Sequence, residues 1–240
     1  MLTVNFNLLP VNNGNRVLDV GCGEGRHSYE VCRLNHCALC SLDMDLQCVR
    51  KTRYVLLHMD SQRVSKGYWN VMRADALSLP FKDASFDRII CSEVLEHVAD
   101  DEQGIRELVR VLKPGGAMAI TVPTYLTETV YWALDQDYYN HPGGHVRKYK
   151  TRELLRSLTR NHLAIYAIHY EHAFHSIYWL LRCIFRLKNE QARIPALYFK
   201  LLEWHILTRS RFISLMERIL NFVFPKSVVV YARKSQLSRD

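Results

Sequence analysis

No stretch of this chain approaches the roughly 18 uninterrupted apolar residues that a bilayer-spanning helix needs. The longest candidate, residues 173–187, is interrupted by His175, Arg182 and Arg186. The first ten residues have no basic start and no long apolar core, so no secretory signal is expected there. No internal repeat and no low-complexity tract is present. Cysteine is odd in number, seven in all. Without a secretion signal, that reads as reduced thiols in a cytoplasmic protein. Cys37 and Cys40 have CxxC spacing, but no second pair completes a zinc site and the run around them looks like a strand. No metal site is therefore expected.

What is present is an ordinary globular composition, 48% hydrophobic and 23% charged over 240 residues. It carries enough apolar surface to offset ordering entropy, which excludes disorder as the dominant state. One domain spanning residues 1–240 is the expectation at this length. The net charge of +8 is unevenly placed. Residues 1–140 hold 14 Lys/Arg against 18 Asp/Glu, and residues 141–240 hold 18 against 6. The second part should face something anionic: a membrane surface, a phosphorylated substrate or nucleic acid.

Apolar runs alternate with amphipathic segments through the first two thirds, the pattern of a parallel sheet wrapped by helices. Strands are expected at 16–20, 37–43, 68–73, 86–91 and 117–122. Helices are expected at 26–34, 46–59 (with Asp45 as N-cap) and 101–111. Further on, Thr151 should cap a helix over 152–159, and strands are expected at 163–169 and 228–233. Between those last two lie almost sixty residues with two aromatic-rich helical patterns, about 173–187 and 196–224, the second bracketed by Pro195 and Pro225.

The strongest motif is Gly21-Cys22-Gly23-Glu24-Gly25, placed between the strand Val17–Val20 and a helix. Glycine there permits positive φ and lets a ligand approach the main chain. The third glycine follows the second by two residues, not three, which departs from the dinucleotide fingerprint. Glu24 would repel a pyrophosphate and suits a cationic ligand. Asp43, at the end of the second strand, can accept hydrogen bonds from ribose hydroxyls. Asp75, after the third strand, can hold an adenine amino group or serve as a loop cap.

Together these residues resemble the class I S-adenosylmethionine-dependent methyltransferases, in particular the small-molecule branch typified by ubiquinone and menaquinone biosynthesis. The resemblance covers about residues 14–170. It rests on Val17–Gly25, Leu42-Asp43, Ala74–Phe81, Phe86–Val98 and Arg110–Gly116, in that order. It implies a Rossmann-like α/β fold, a seven-stranded sheet with helices on both faces, and S-adenosylmethionine as cofactor. It implies that Asp19, Gly21, Cys22, Gly23 and Gly25 wrap the methionine part, Asp43 the ribose, and Asp75 and Ala76 the adenine. Cys91 to Glu93 would form the floor of the site. The sixth strand should run parallel to the first five.

The protein's part in methyl transfer is to align the acceptor and exclude water. A hydroxyl acceptor also benefits from a base. His97, His141 and His145 are the candidates, with Glu93 behind them. His97, expected on a helix in a motif common in that family, reads first as structural, whereas His141 and His145 can equally stabilise a turn around Pro142-Gly143-Gly144. The strand at 86–91 is followed by Ser92-Glu93-Val94, not the Pro-Pro-aromatic motif of DNA amine methyltransferases. No Pro-Cys nucleophile is present there either, so nucleic acid is not the favoured partner.

The insertion, about 170–225, follows the carboxyl end of the sixth strand and is expected to act as a helical lid. Its aromatic residues, among them Trp179 and Trp204, alternate with Arg and Lys. This suits a small hydrophobic or lipid-linked acceptor and peripheral contact with an anionic membrane. It equally suits two amphipathic helices with a solvated basic face. The expectation is therefore methyl transfer to a small acceptor, with oxygen as the receiving atom. The alternatives are an RNA or protein methyltransferase and a cofactor-binding regulator without transfer activity.

Overall fold

The computed structural model describes residues 2–34, 36–135, 137–140, 143–185, 189, 192–208 and 210–236. Seven strands form one sheet: β1 (Arg16–Val20), β2 (Ala38–Asp43), β3 (Tyr68–Arg73), β4 (Phe86–Ser92), β5 (Leu112–Pro123), β6 (Leu163–Glu171) and β7 (Ser227–Lys234). Their order across the sheet is β3-β2-β1-β4-β5-β7-β6. The pairs β1–β2, β2–β3, β1–β4 and β4–β5 are parallel. β7 is antiparallel to both β5 and β6. β6 thus points the same way as the first five strands, as expected.

Side chains alternate between the two faces of each strand, so each strand feeds two cores. Val228, Val230 and Ala232 of β7 enter one core, and Val229 and Tyr231 the other. On the first face lie α3 (Asp101–Val111) and α6 (Thr151–Arg160), through Ile105, Leu108, Leu154 and Leu158. On the second lie α1 (Arg26–Leu34) and α2 (Leu46–Ser61), through Val31, Val49 and Leu56. Complete burial of a Leu or Ile on either face contributes about 1.5–3 kcal/mol. The expected α/β sheet with helices on both faces is what the chain forms.

Three local expectations are corrected. The pattern over 196–224 is two helices, α8 (Arg193–Thr208) and α9 (Arg211–Leu220), because the backbone at Ser210 leaves the helical region (φ −54°, ψ 120°). Thr151 is the first residue of α6 and not its cap; Lys150 holds the cap position without a side-chain bond. The segment after β5 contains α4 (Tyr125–Leu134) and the short α5 (Asp137–Asn140), which the sequence pattern did not suggest. By contrast, Asp45 caps α2 as expected, accepting from Gln47 N at 2.8 Å.

The insertion opens with α7 (Ala173–Ile184). A third apolar cluster joins it to α4 and α5: Tyr131, Tyr138 and Cys183, packed with Trp132, Trp179 and Phe224. Among the described residues, no helix is long and apolar enough to cross a membrane. All seven cysteines are free thiols.

Candidate active site

The strand order reverses between β1 and β4, whose neighbours are β2 on one side and β5 on the other. Beyond the carboxyl ends of strands at such a switch point, loops part and leave a crevice. A cavity of about 870 Å3 opens there. Its lining includes Gly21, Cys22, Gly23 and Glu24 from the loop after β1, Asp43 and Met44 after β2, and Asp75 and Ala76 after β3. Ser92, Glu93, Val94 and His97 close it after β4, and Gly143 reaches it from the far loop. Among the described residues that line it, none comes from 170–225.

The loop geometry depends on its glycines. Gly21 has φ +66°, and a Cβ there would sit 2.3 Å from Val94 Cγ2, so no side chain fits. Gly23 has φ +54°, yet a Cβ there would meet nothing within 4 Å. Gly21 is needed for packing, whereas the bare backbone of Gly23 faces open space where a ligand can approach. The Gly23 N–H donates to Asp43 Oδ2 at 2.9 Å, and the Asp45 N–H donates to Asp43 Oδ1 at 2.9 Å. Asp43 thereby fixes the loop's position while standing at the cavity wall. Asp75 Oδ1 accepts from Leu77 N at 2.9 Å, so its capping role is real and coexists with its place in the lining.

Three residues assigned to the cofactor by resemblance stand behind the wall and not on it. Asp19 is buried, with Oδ2 accepting from Ser28 Oγ at 2.6 Å, and burial pushes its carboxyl up to about 6. Gly25 packs on Thr52, and Cys91 is in the sheet core. They shape the loop and the floor from below. Glu24 pairs with Lys51 at 2.7 Å on the exposed rim, which offsets the negative charge it presents.

Beyond the floor, acidic groups gather. Glu93, at φ +58°, accepts from Thr121 Oγ1 and from Lys226 Nζ, each at 3.0 Å. Burial is the largest single influence and would raise its carboxyl, but Lys226, Arg26 and the Thr121 hydroxyl together hold it below the ordinary carboxylate value. Glu93 is thus an ionised, fully engaged group and is poorly disposed to take a proton. Glu96 is buried beside it with neither oxygen partnered, and burial together with the Glu93 charge raises it well above the ordinary value. Glu96 is the neutral member of the pair.

His97 lies on a single 3-10 turn, Leu95–His97, not on a regular helix. Its Nδ1 is 3.4 Å from the Gly144 carbonyl, which can only accept. Nδ1 therefore carries the hydrogen, and Nε2 keeps the lone pair. Burial, and then the nearby His145, lower its pKa below 6.5, so the ring is neutral at pH 7. The His145 ring meets it edge to face, with centroids 4.8 Å apart. Behind His145 stands Glu128 of α4, whose Oε2 is 2.6 Å from His145 Nδ1. Glu128 also accepts from Tyr138 OH at 2.9 Å and Trp132 Nε1 at 3.0 Å. Sequence reasoning missed Glu96, Glu128 and Lys226. Glu96 directly precedes His97 and was within reach; the other two come from distant segments. His141 lies outside the described residues.

The family model described as "Methyltransferase domain" matches residues 18–120. The chain is 34% identical over 114 residues to a 27-O-demethylrifamycin SV methyltransferase of Amycolatopsis mediterranei, covering 47% of this chain and 40% of that protein. It is 32% identical over 130 residues to a sterol 24-C-methyltransferase of Schizosaccharomyces pombe, covering 53% of this chain and 30% of that protein. The matched stretch thus spans less than half the length of these relatives. A solved S-adenosylmethionine-dependent methyltransferase from Mesorhizobium loti shares the fold, with a TM-score of 0.59 and 18% identity over 95% of this chain and 94% of that one. Residues 18–120 thus match a methyltransferase domain, and the sheet and its switch point share the fold of solved S-adenosylmethionine-dependent methyltransferases. That is an enzyme domain with S-adenosylmethionine as its cofactor, and the open, Cβ-free face of Gly23 beside Asp43 fits such a ligand.

Proposed function

We propose that the chain methylates an oxygen of a small hydrophobic or lipid-linked acceptor, with His97 as the base. The observation that carries this reading is a neutral imidazole on the cavity wall, backed by a carboxylate through a second imidazole. S-adenosylmethionine, when bound, supplies a methyl group on a cationic sulfonium. Gly21, Cys22 and Gly23 would hold its methionine part, Asp43 the ribose, and Asp75 with Ala76 the adenine. His97 Nε2 would take the acceptor hydroxyl's proton as the new O–C bond forms, which keeps the methylated oxygen from being left as a positively charged oxonium. His145, held by Glu128, would position the His97 ring. Glu93, clamped by Lys226 and Thr121, would present a fixed carboxylate to the cationic cofactor and aid its binding.

By their names, the similar proteins above methylate a 27-O-demethylrifamycin and carbon 24 of a sterol, which supports a bulky apolar acceptor. The insertion supports the same reading. Leu197, Leu207 and Phe222 are 71%, 83% and 87% exposed, and Lys200 and Arg218 lie among them. Such a face suits an anionic membrane surface from which the acceptor is drawn. We further propose that the insertion covers the acceptor side as a lid. Its link to the site is Trp179, whose ring lies 5.7 Å from that of Tyr138, the partner of Glu128.

The test is methyl transfer from labelled cofactor to total lipid extract, total RNA and total protein, compared side by side. Label in the lipid fraction, lost in His97→Ala, supports the reading. Label in RNA or protein, or equal turnover by His97→Ala, overturns it.

A further inference from the structure

α7 starts at His172, which is buried and held in the left-handed region at φ +68°, and its first turn carries His175. α9 brings Glu217 against both. One ligand atom from each of the three residues lies within 4.8 Å of the others. His172 Nδ1, His175 Nδ1 and Glu217 Oε1 are all buried without a hydrogen-bond partner. Each such atom has given up its hydrogen bonds to water without a replacement.

We propose that His172, His175 and Glu217 form a binding site for a divalent transition-metal ion, zinc by the chemistry of its donors, that ties α7 to α9. Coordination by one cation would satisfy all three orphaned atoms at once. Two imidazoles and a carboxylate are a zinc-type donor set.

The surroundings agree in two respects. First, His172 Nε2 lies 3.1 Å from Thr3 Oγ1. With the Nε2 hydrogen donated to Thr3, the lone pair is on Nδ1, which is how outer partners select the tautomer of a ligating histidine. Second, His205 Nε2 is 3.9 Å from Glu217 Oε2, on the carboxylate's other oxygen. The positive charges of Lys226 and Arg26 act on the histidines and oppose a cation, while Glu171 acts on Glu217 with the opposite sign. Glu96, His97 and His145 also bring ligand atoms within 4.8 Å, but there His145 is engaged by Glu128 and His97 by Gly144.

The experiment uses the full-length protein after chelator dialysis. It is titrated with Co2+, followed by visible absorption, and then competed with Zn2+. One equivalent should bind, raise the melting temperature and give the absorption of a low-coordinate Co2+ site that Zn2+ bleaches. Glu217→Gln keeps the shape and removes the charge, so it should bind more than about 100-fold more weakly; His175→Ala should do the same. Loss of the outer partner in Thr3→Val should cost about 10–100-fold. His97→Ala should bind as the parent does. The proposal fails if the parent takes up no stoichiometric metal. It also fails if Glu217→Gln binds normally, or if binding disappears in His97→Ala instead.

Discussion

His145 and Glu128 are joined by a 2.6 Å contact between Nδ1 and Oε2, and the carboxylate is otherwise sealed under Tyr138 and Trp132. A carboxylate so placed fixes the ring's orientation. His97→Ala should lower kcat by roughly 100-fold or more, the usual weight of a positioned base. Glu128→Gln should lower kcat less and leave cofactor Kd unchanged. The parent's acid limb should lie below pH 6.5, because burial depresses His97. Steady-state kinetics from pH 5 to 8 on the three proteins would decide it. An unchanged kcat in Glu128→Gln would leave Glu128 with a packing role alone.

The glycine loop separates packing from binding. Gly21→Ala should destabilise the fold, because its Cβ would collide with Val94 Cγ2 and its φ is left-handed. The expected loss is about 1–3 kcal/mol, partly recovered in the double variant with Val94→Ala. Gly23→Ala meets no atom within 4 Å and carries only the backbone cost of about 1–2 kcal/mol. Its methyl would nevertheless project into space a ligand approaches. Denaturant melts combined with S-adenosylhomocysteine titrations should therefore rank the two variants in opposite order.

Asp43→Ala removes the acceptor of the Gly23 and Asp45 amides as well as the candidate ribose partner. Loss of charge-assisted hydrogen bonds predicts about 2–4 kcal/mol weaker cofactor binding, roughly 30- to 1000-fold. Folding should survive, since the residue ends a strand at the edge of the cavity. Calorimetry with S-adenosylhomocysteine measures the effect, with NAD as the control that should not bind.

Why the strands could be read in advance while the catalytic backing could not follows from range. Val17–Val20 and Ile89–Cys91 are buried on both faces, so their apolar runs announce parallel strands locally. The Gly21–Gly25 loop is contiguous, and its neighbours Asp43 and Asp75 follow consecutive strands at regular intervals. α4 is different: Thr127, Thr129, Val130, Tyr131 and Trp132 favour extended chain, and packing of Tyr131 and Trp132 against α7 overrides that preference. The Lys226–Glu93 ion pair joins residues 133 positions apart, which no local pattern reveals. The break at Ser210 falls in the polar run 208–211, between two apolar stretches that together read as one helix.

Acid should loosen the N-terminal segment. His27 Nε2 accepts from the amides of Thr3 and Val4, and burial lowers this histidine to about 3. Its folded value lies below the unfolded 6.5, so the unfolded state binds the proton first. His27's contribution to stability is complete above pH 6.5 and declines as pH falls toward 3. At pH 5 the loss is about 2 kcal/mol. Asp19 acts oppositely: raised to about 6, it is strained as a carboxylate at pH 7 and relieved as pH falls through 6. Denaturant unfolding at pH 7 and pH 5 should show a drop about 2 kcal/mol smaller in His27→Gln than in the parent. Asp19→Asn should show a larger drop than the parent.

The exposed face of α8 and α9 gives the last prediction. Deleting the insertion would be a poor test, because Tyr131 OH donates to the Ser176 carbonyl of α7, and Trp179 supports Tyr138. Removing α7 would disturb Glu128 and the chemistry together. Leu207 and Phe222 are almost fully exposed, so Leu207→Asp and Phe222→Asp should leave stability within about 0.5 kcal/mol. If the face docks on an anionic bilayer, the parent should bind phosphatidylglycerol vesicles and ignore phosphatidylcholine vesicles. Each nearby Lys or Arg would contribute about 1 kcal/mol, weakened by salt. Each apolar side chain removed from the interface would cost about 1.5–3 kcal/mol. The two variants should then lose vesicle binding and turnover of membrane-held acceptor, yet keep the parent's cofactor Kd and its turnover of detergent-dispersed acceptor. Equal vesicle binding by parent and variants would place the membrane contact elsewhere on the basic half of the chain. Loss of dispersed-acceptor turnover would mean instead that Leu207 and Phe222 belong to the acceptor pocket itself.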